Sequence, residues 1–155
     1  MPATTAPLDQ LLAEQGLAPF EGSHSITIDD LTEDSREVRP GSIFLARQGI
    51  VMDGRDFIAQ AEAAGAAAVL TDTQGAARAS GPVIVTDDPS GAGARLAHAV
   101  HGDPSGTVQV AGITGTNGKT TCAVLLQHVL AAAGHHCGLI GGIEVDDGGT
   151  GVPTG

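Results

Sequence analysis

Aromatic and basic side chains are scarce in this chain. Its 155 residues include no tryptophan, no tyrosine and only three phenylalanines, which leaves few rings to stack on nucleic-acid bases. Seven Lys and Arg residues stand against eighteen Asp and Glu residues, giving a formal net charge of −11 at pH 7. Because this charge repels phosphate backbones and anionic membrane surfaces, we expect no nucleic-acid partner.

Cysteines and long apolar runs are also scarce. Cys122 and Cys137 are too few for a disulfide framework, and the first residues lack the basic and apolar regions of a secretory signal. No apolar run approaches the roughly 18 residues of a membrane-spanning helix. These absences favour a cytoplasmic protein without membrane insertion. Apolar residues still make up 41% of the chain, enough for an aliphatic core.

Hydrophobic patterning predicts alternating helices and strands, which is typical of an α/β protein. Helices are predicted over residues 8–17, 57–64 and 89–101, and strands over residues 25–31, 42–46, 67–70 and 82–88. The small, polar residues 101–107 then separate a first block from a second one. We therefore predict one domain over residues 1–103 and the start of another over residues 104–155.

The second block contains the stretch GITGTNGKTT, residues 112–121. A strand is predicted before it, at residues 108–114, and a helix after it, with an apolar stripe from Cys122 to Ala133. Another strand is predicted around HCGLIGG, residues 136–142. Strand, glycine-rich turn, helix and strand together predict a βαβ unit with parallel strands.

The same stretch has the residue types that hold a nucleoside triphosphate. Gly112, Gly115 and Gly118 allow positive φ angles and close approach of an anion, which the helix N-terminus also attracts. Lys119 adds a charge suited to β- and γ-phosphates, and the Thr120 hydroxyl is suited to ligating Mg²⁺. A tight turn alone would explain the glycines but not Gly-Lys-Thr-Thr at a helix start. The predicted nucleotide-binding residues are Gly115, Thr116, Asn117, Gly118, Lys119, Thr120 and Thr121.

The stretch resembles the nucleotide loop of the Mur ligases and of the folylpolyglutamate and cyanophycin synthetases, which share T-G-T-x-G-K-T. Residues 31–49 and 53–70 are similar to the first domain of the E-type and F-type Mur ligases, with D-S-R, P-G-x-x-F and D-G-x-x-F in order. Thr116 and the later GLIGG favour the E-type over the F-type, which stays an alternative.

The resemblance implies an ATP-dependent amide ligase of peptidoglycan precursor synthesis, with ATP and Mg²⁺ as cofactors. ATP would phosphorylate the D-glutamyl carboxylate of UDP-N-acetylmuramoyl-L-alanyl-D-glutamate, and the amine of meso-diaminopimelate or L-lysine would attack the acyl phosphate. Lys119 and Thr120 would be the catalytic groups, because this transfer requires charge neutralisation. The sequence does not indicate which diamino acid is used.

The resemblance also implies that the first domain binds the uridine-nucleotide end of the substrate. Ser35 and Glu33 would lie at the uridine diphosphate, and the segment with Ile50, Val51 and Met52 would lie against the uracil. Asp-Ser-Arg could instead form only an Asx or ST turn between strands.

Family members have three domains, so we expect this chain to be an N-terminal portion, monomeric and inactive by itself. The alternative from another class is a non-catalytic module that binds a uridine nucleotide.

Overall fold

The computed structural model describes residues 6–142, 144–148 and 151–153. Within it the chain divides into two compact units, the first ending at Gln109 and the second beginning at Val110. The domain limits of 1–103 and 104–155 stay a prediction. No helix of the described residues is long and apolar enough to cross a membrane.

The first unit contains a four-stranded parallel sheet in the order β3-β4-β5-β6 and a short antiparallel ribbon of β1 and β2. Its strands are β1 (Ala6–Pro7), β2 (Thr27–Ile28), β3 (Asp30–Thr32), β4 (Ser42–Ala46), β5 (Ala68–Thr71) and β6 (Val83–Val85). Its α-helices are α1 (Leu8–Glu14), α2 (Ile58–Ala63), α3 (Thr73–Ala76) and α4 (Pro89–Val100). Short 3₁₀ helices cover Ser23–Ser25, Gly54–Phe57 and Pro104–Gly106. The predicted α/β class with a parallel sheet is confirmed.

Strand β4 divides its side chains between two cores. Ile43 and Leu45 belong to the core formed with α1 and α4, whereas Phe44 and Ala46 belong to the core formed with α2. All five residues of β4 are buried, which explains why the strand reads as a continuous apolar run. The parallel sheet is therefore covered on both faces.

Local signals set the ends of helix α4. The Asp88 carboxylate accepts a 2.9 Å hydrogen bond from the N–H of Gly91, and Pro89 occupies the first turn, where its missing N–H costs nothing. The helix continues to Val100, which confirms the predicted helix.

Three predicted elements of the first unit differ in extent. The strand predicted over residues 82–88 is formed only over Val83–Val85. Residues 25–31 do not form one strand, since β2 and β3 belong to different sheets and the N–H of Asp29 between them donates to the carbonyl of Gly41.

The first helix ends at Glu14 rather than at residue 17. Gly16 there has a left-handed φ of 69°, and the N–H of Leu17 bonds back to the carbonyl of Leu12, which closes the helix.

The second unit consists of a helix and a small antiparallel sheet. Helix α5 (Lys119–Ala132) is followed by β7 (Leu139–Ile140), β8 (Glu144–Asp146) and β9 (Gly151–Pro153), which pair in that order. The predicted helix is confirmed, and a short strand lies where HCGLIGG predicted one.

The strand predicted at residues 108–114 is wrong. These residues have no strand structure, and Val108 and Val110 are 60% and 77% exposed. A strand requires a neighbouring backbone to satisfy its N–H and C=O groups, and none of the described residues supplies one here. The predicted parallel βαβ unit is therefore not formed, and the strands that follow α5 are antiparallel.

The predicted apolar stripe of α5 lies in contact with solvent. Leu125 and Val129 are 61% and 64% exposed, and Leu126 is 37% exposed. No α5 residue is buried, so the described part of the second unit covers little of this helix.

Candidate functional site

A cavity of about 840 Å³ lies beyond the carboxyl ends of β3 and β4. Open parallel sheets bind their ligands at this edge, because the loops that follow neighbouring strands converge there. The lining consists of residues 32–37, Leu45, Arg47, Gly49, Met52, Gly54, Phe57 and Gln60.

A double turn after β3 presents Ser35 to this cavity. The Thr32 hydroxyl accepts a hydrogen bond from the N–H of Asp34, and the Asp34 carboxylate accepts one from the N–H of Arg36. The structural alternative, an ST or Asx turn at Asp-Ser-Arg, is thus present. Ser35 is only 9% exposed, and its hydroxyl has no hydrogen-bond partner among the described residues. The turn therefore leaves a free hydroxyl in the cavity wall.

The Arg36 guanidinium also pairs with the Asp34 carboxylate. The hydrogen bond from the Arg36 side chain is the main reason that the pKa of Asp34 is lowered from 3.8 to about 2. Asp34 therefore stays ionised further into the acid range than an unpaired aspartate does. Arg36 is neutralised by this contact and extends into solvent, with 81% of its side chain exposed.

A second ion pair connects the ends of the two strands. Glu33 follows β3 and Arg47 follows β4. One oxygen of Glu33, Oε2, accepts a 2.7 Å hydrogen bond from Nε of Arg47 and lies 2.7 Å from its Nη2. Sequence reasoning did not select Arg47. Its place directly after a buried strand was the signal that could have identified it.

The loop after β4 is a tight turn with an apolar tip. Gln48 and Asp53 pair across its base, and the N–H of Gly49 donates to the carbonyl of Met52. A Cβ on Gly49 would collide with that carbonyl, so the turn requires glycine. Ile50 and Val51 form the tip and are 105% and 93% exposed.

Three of the five predicted substrate-binding residues line the cavity, namely Glu33, Ser35 and Met52. The other two, Ile50 and Val51, lie at the loop tip outside the lining. Their contact with a nucleobase stays a prediction.

Arg55 anchors the segment at the base of the loop. Its side chain is 6% exposed, and its guanidinium bonds to Asp53 at 2.7 Å, Asp72 at 3.0 Å and Gln74 at 2.8 Å. The hydrogen bond from Arg55 lowers the pKa of Asp53 from 3.8 to about 2. This link ties the loop to the end of β5. Sequence reasoning also missed it, because Asp72 lies 17 residues away.

The predicted nucleotide loop has two glycines in special conformations. Gly115 has a φ of 150° and Gly118 one of 74°, whereas Gly112 is not in the left-handed region and a Cβ there would meet open space. Of the three glycines that allow positive φ, only Gly115 and Gly118 use it. Left-handed backbone is needed only where the chain turns into the helix.

The start of helix α5 is open to an anion. Gly118 provides no side-chain cap, the first turn contains no acidic residue, and the hydroxyls of Thr120 and Thr121 have no hydrogen-bond partner in the described part of the chain. The ammonium group of Lys119 folds back onto the carbonyl of Gly115 at 2.5 Å. The residues after Thr116 thus expose unpaired N–H groups beside one cation.

The comparisons with known proteins agree on one family. The model described as "Mur ligase family, catalytic domain" matches residues 27–105, just over half of the chain, and the chain belongs to this family. The matched segment contains the cavity and ends before the nucleotide loop. The family therefore rests on the first unit.

Particular relatives lie within the same family. The chain is 43% identical over 145 residues to UDP-N-acetylmuramoyl-L-alanyl-D-glutamate--2,6-diaminopimelate ligase of Streptomyces coelicolor, covering 92% of this chain and 28% of the relative. A solved structure of a ligase with that name matches with a TM-score of 0.65 and 22% identity, over 92% of this chain and 28% of the other.

A MurF ligase from Thermotoga maritima, solved in complex with ADP, matches with a TM-score of 0.50 and 28% identity, over 66% of this chain and 23% of that one. In these matches the chain spans 23% to 28% of the relative's length.

Proposed function

We propose that this chain supplies the uridine-nucleotide site and the phosphate loop of an ATP-dependent amide ligase. The complete enzyme would add a diamino acid to UDP-N-acetylmuramoyl-L-alanyl-D-glutamate. The single observation that carries the proposal is the cavity beyond β3 and β4, within the segment that the family model matches. The name of the 43% identical relative favours 2,6-diaminopimelate over L-lysine.

The uridine-nucleotide end of the substrate would bind in this cavity. The Ser35 hydroxyl is unpaired in the described chain, faces the cavity and can donate to a phosphate oxygen. Met52, which is 64% exposed, offers an apolar surface for the base. Ile50 and Val51 would extend that surface if the loop closes over the ligand, and Glu33 would act next to the diphosphate.

The triphosphate of ATP would bind at the start of α5. Gly115 and Gly118 have positive φ where the chain turns into α5, so the amides of residues 116–121 would converge on the phosphates, and Lys119 would add a full positive charge. An ADP complex is known for the Thermotoga maritima relative. The proposed nucleotide-binding residues are Gly115, Thr116, Asn117, Gly118, Lys119, Thr120 and Thr121.

Carboxylate activation explains why such a loop belongs to an amide ligase. A carboxylate is a poor acyl donor until one oxygen becomes a phosphate leaving group. Lys119 would neutralise charge that develops on the transferred phosphoryl group. The Thr120 hydroxyl would hold Mg²⁺, which would supply further charge neutralisation at the phosphates, although the first turn of α5 offers no carboxylate as a second ligand. Further ligands would have to come from elsewhere in the complete enzyme.

The remaining assignments are proposals of the same kind. We propose a monomer that acts in the cytoplasm, where ATP and nucleotide-linked precursors are made. The structure of the second unit, an open helix with a small antiparallel sheet, favours the view that this chain alone is inactive.

Calorimetry tests the proposal directly. The 155-residue chain is titrated with UDP and, separately, with Mg-ATP. We expect one UDP site and little or no turnover of ATP in the presence of the UDP-linked dipeptide. Failure to bind UDP contradicts the substrate site. If the UDP-linked dipeptide stimulates ADP release by this chain, the expected inactivity is contradicted. If the complete polypeptide binds UDP but forms no amide product, the non-catalytic module is supported instead.

A further inference from the structure

The cavity lining contains two cations, and they differ in what they can reach. Arg36 commits its Nε and Nη2 to Asp34 and is 81% exposed. Arg47 is 41% exposed and begins directly where β4 ends, at the edge where the cavity lies. Arg47 is therefore the lining cation that the sheet itself positions.

The ion pair of Arg47 leaves part of its guanidinium unused. Glu33 Oε2 accepts a hydrogen bond from Nε and lies 2.7 Å from Nη2, and Nη1 has no partner among the described residues. A guanidinium carries five N–H donors in a rigid plane, so one edge can be held by a carboxylate while the other binds an anion. Glu33 thus restricts the orientation of Arg47 and leaves the donors of Nη1 free.

The backbone of Arg47 is held as well. Its carbonyl accepts a 2.9 Å hydrogen bond from the N–H of Gly54. A Cβ on Gly54 would lie 2.8 Å from that carbonyl oxygen, so only glycine allows this approach. The guanidinium therefore projects from a backbone that is fixed on both sides, by β4 and by Gly54.

The charge of the lining makes this cation necessary for an anionic ligand. Glu33, Asp34 and Glu37 contribute three carboxylates, against the two arginines. Arg36 pairs with Asp34, so removal of Arg47 would leave the carboxylates of both Glu33 and Glu37 without a paired cation beside a diphosphate.

We propose that Arg47 contacts the diphosphate of the uridine nucleotide through the donors that Glu33 leaves free. This inference rests on the proposed uridine-nucleotide site and adds to it the residue that distinguishes a diphosphate from an uncharged nucleoside. In this inference the Glu33 side chain orients Arg47 and does not itself contact the ligand.

The test compares three ligands of increasing charge, which are uridine, UMP and UDP. Each is titrated by calorimetry into the 155-residue chain and into the variants Arg47→Gln, Arg47→Lys and Arg78→Gln. Arg78 pairs with Asp56 on the surface and does not line the cavity, so Arg78→Gln makes the same charge change elsewhere. Thermal unfolding of each variant reports whether the fold is kept.

We expect Arg47→Gln to weaken UDP binding about tenfold or more while uridine binding is unchanged, since a hydrogen bond to a charged group is lost. Arg47→Lys should recover part of the loss, and Arg78→Gln should bind all three ligands as the unchanged chain does. Higher salt should weaken UDP binding less in Arg47→Gln.

Two results overturn the inference alone: UDP binding that is insensitive to Arg47→Gln, or an equal loss for uridine and UDP, which indicates a structural role. An unchanged chain that binds none of the three ligands overturns the uridine-nucleotide site itself.

Discussion

The hydroxyl of Thr71 donates a 2.7 Å hydrogen bond to the carbonyl of Ala46, and both residues are completely buried. Thr71 ends β5 and Ala46 ends β4, so this bond joins the two strands at the edge where the cavity lies. It therefore holds the residue that immediately precedes Arg47.

Gly75 should be indispensable to this contact. A Cβ at residue 75 would overlap the Thr71 hydroxyl and lie 2.9 Å from Thr71 Cβ. We expect Gly75→Ala to lower the free energy of unfolding by about 1–3 kcal/mol, because a packed site must shift to admit the methyl group. Urea unfolding measures the change. Gly81→Ala is the control, since its nearest contact would be an ordinary 3.4 Å to Glu62, and equal losses in both variants would contradict the prediction.

The Asp53 carboxylate should make the free energy of unfolding depend on pH in the acid range. Its pKa is lowered from 3.8 to about 2 by the hydrogen bond from Arg55, so as the pH falls the unfolded chain takes up the proton first. The stabilising contribution is complete above pH 3.8 and is lost as the pH approaches 2. The stability difference between the unchanged chain and Asp53→Asn should therefore shrink over this interval.

Chemical unfolding at pH 5, 4, 3 and about 2 follows this difference. Asp87→Asn, at an exposed aspartate without a hydrogen-bond partner in the described structure, is the comparison. A stability gap for Asp53→Asn that is the same at every pH would show that Arg55 does not act on the Asp53 charge.

Substitution of Lys119 should weaken binding at the ATP site without affecting the UDP site. We expect Lys119→Ala to weaken Mg-ATP binding at least tenfold, because the one full charge of the loop is removed, and to leave UDP binding intact. In the complete polypeptide the same change should abolish ligation. Turnover that survives Lys119→Ala would refute the role given to this residue, and Thr121→Ser serves as a mild loop variant for comparison.

Gly118 and Gly112 should respond differently to the same substitution. Gly118 is left-handed at the start of α5, so an alanine there costs about 1 kcal/mol of strain and distorts the turn. Gly112 has neither this conformation nor a neighbour within 4 Å. Calorimetry with Mg-ATP should show weaker binding for Gly118→Ala and no change for Gly112→Ala. The reverse order would mean that the loop binds phosphate in another conformation.

Local signals explain which elements could be predicted. Strand β4 was predicted with its observed limits because its five buried residues form an uninterrupted apolar run after Pro40 and Gly41. Helix α4 was predictable from Asp88 and Pro89, whose cap contacts involve only neighbouring residues. The two left-handed glycines of the nucleotide loop were predictable for the same reason.

Elements that depend on distant partners were predicted less well. Residues 108–114 have the composition of a strand but no hydrogen-bonding neighbour among the described residues. Within residues 25–31, the chain leaves the two-stranded ribbon after β2 and enters the four-stranded sheet at β3, with Asp29 between them. Arg55 lies 17 residues from Asp72, and no local pattern indicates that they meet. Strand pairing and buried ion pairs are non-local, so the chain order does not reveal them.

The sequence by itself determined the alternation of helices and strands in the first unit, the turn at Ser35 and the glycine turn before Lys119, since these depend on residues a few positions apart. Only the tertiary structure decided which side chains share the cavity. Glu33 and Arg47 are 14 residues apart in the chain, and they meet because parallel pairing of β3 with β4 brings the carboxyl ends of both strands to one edge. The hydrogen-bond register of the sheet, rather than any local preference, produces that contact.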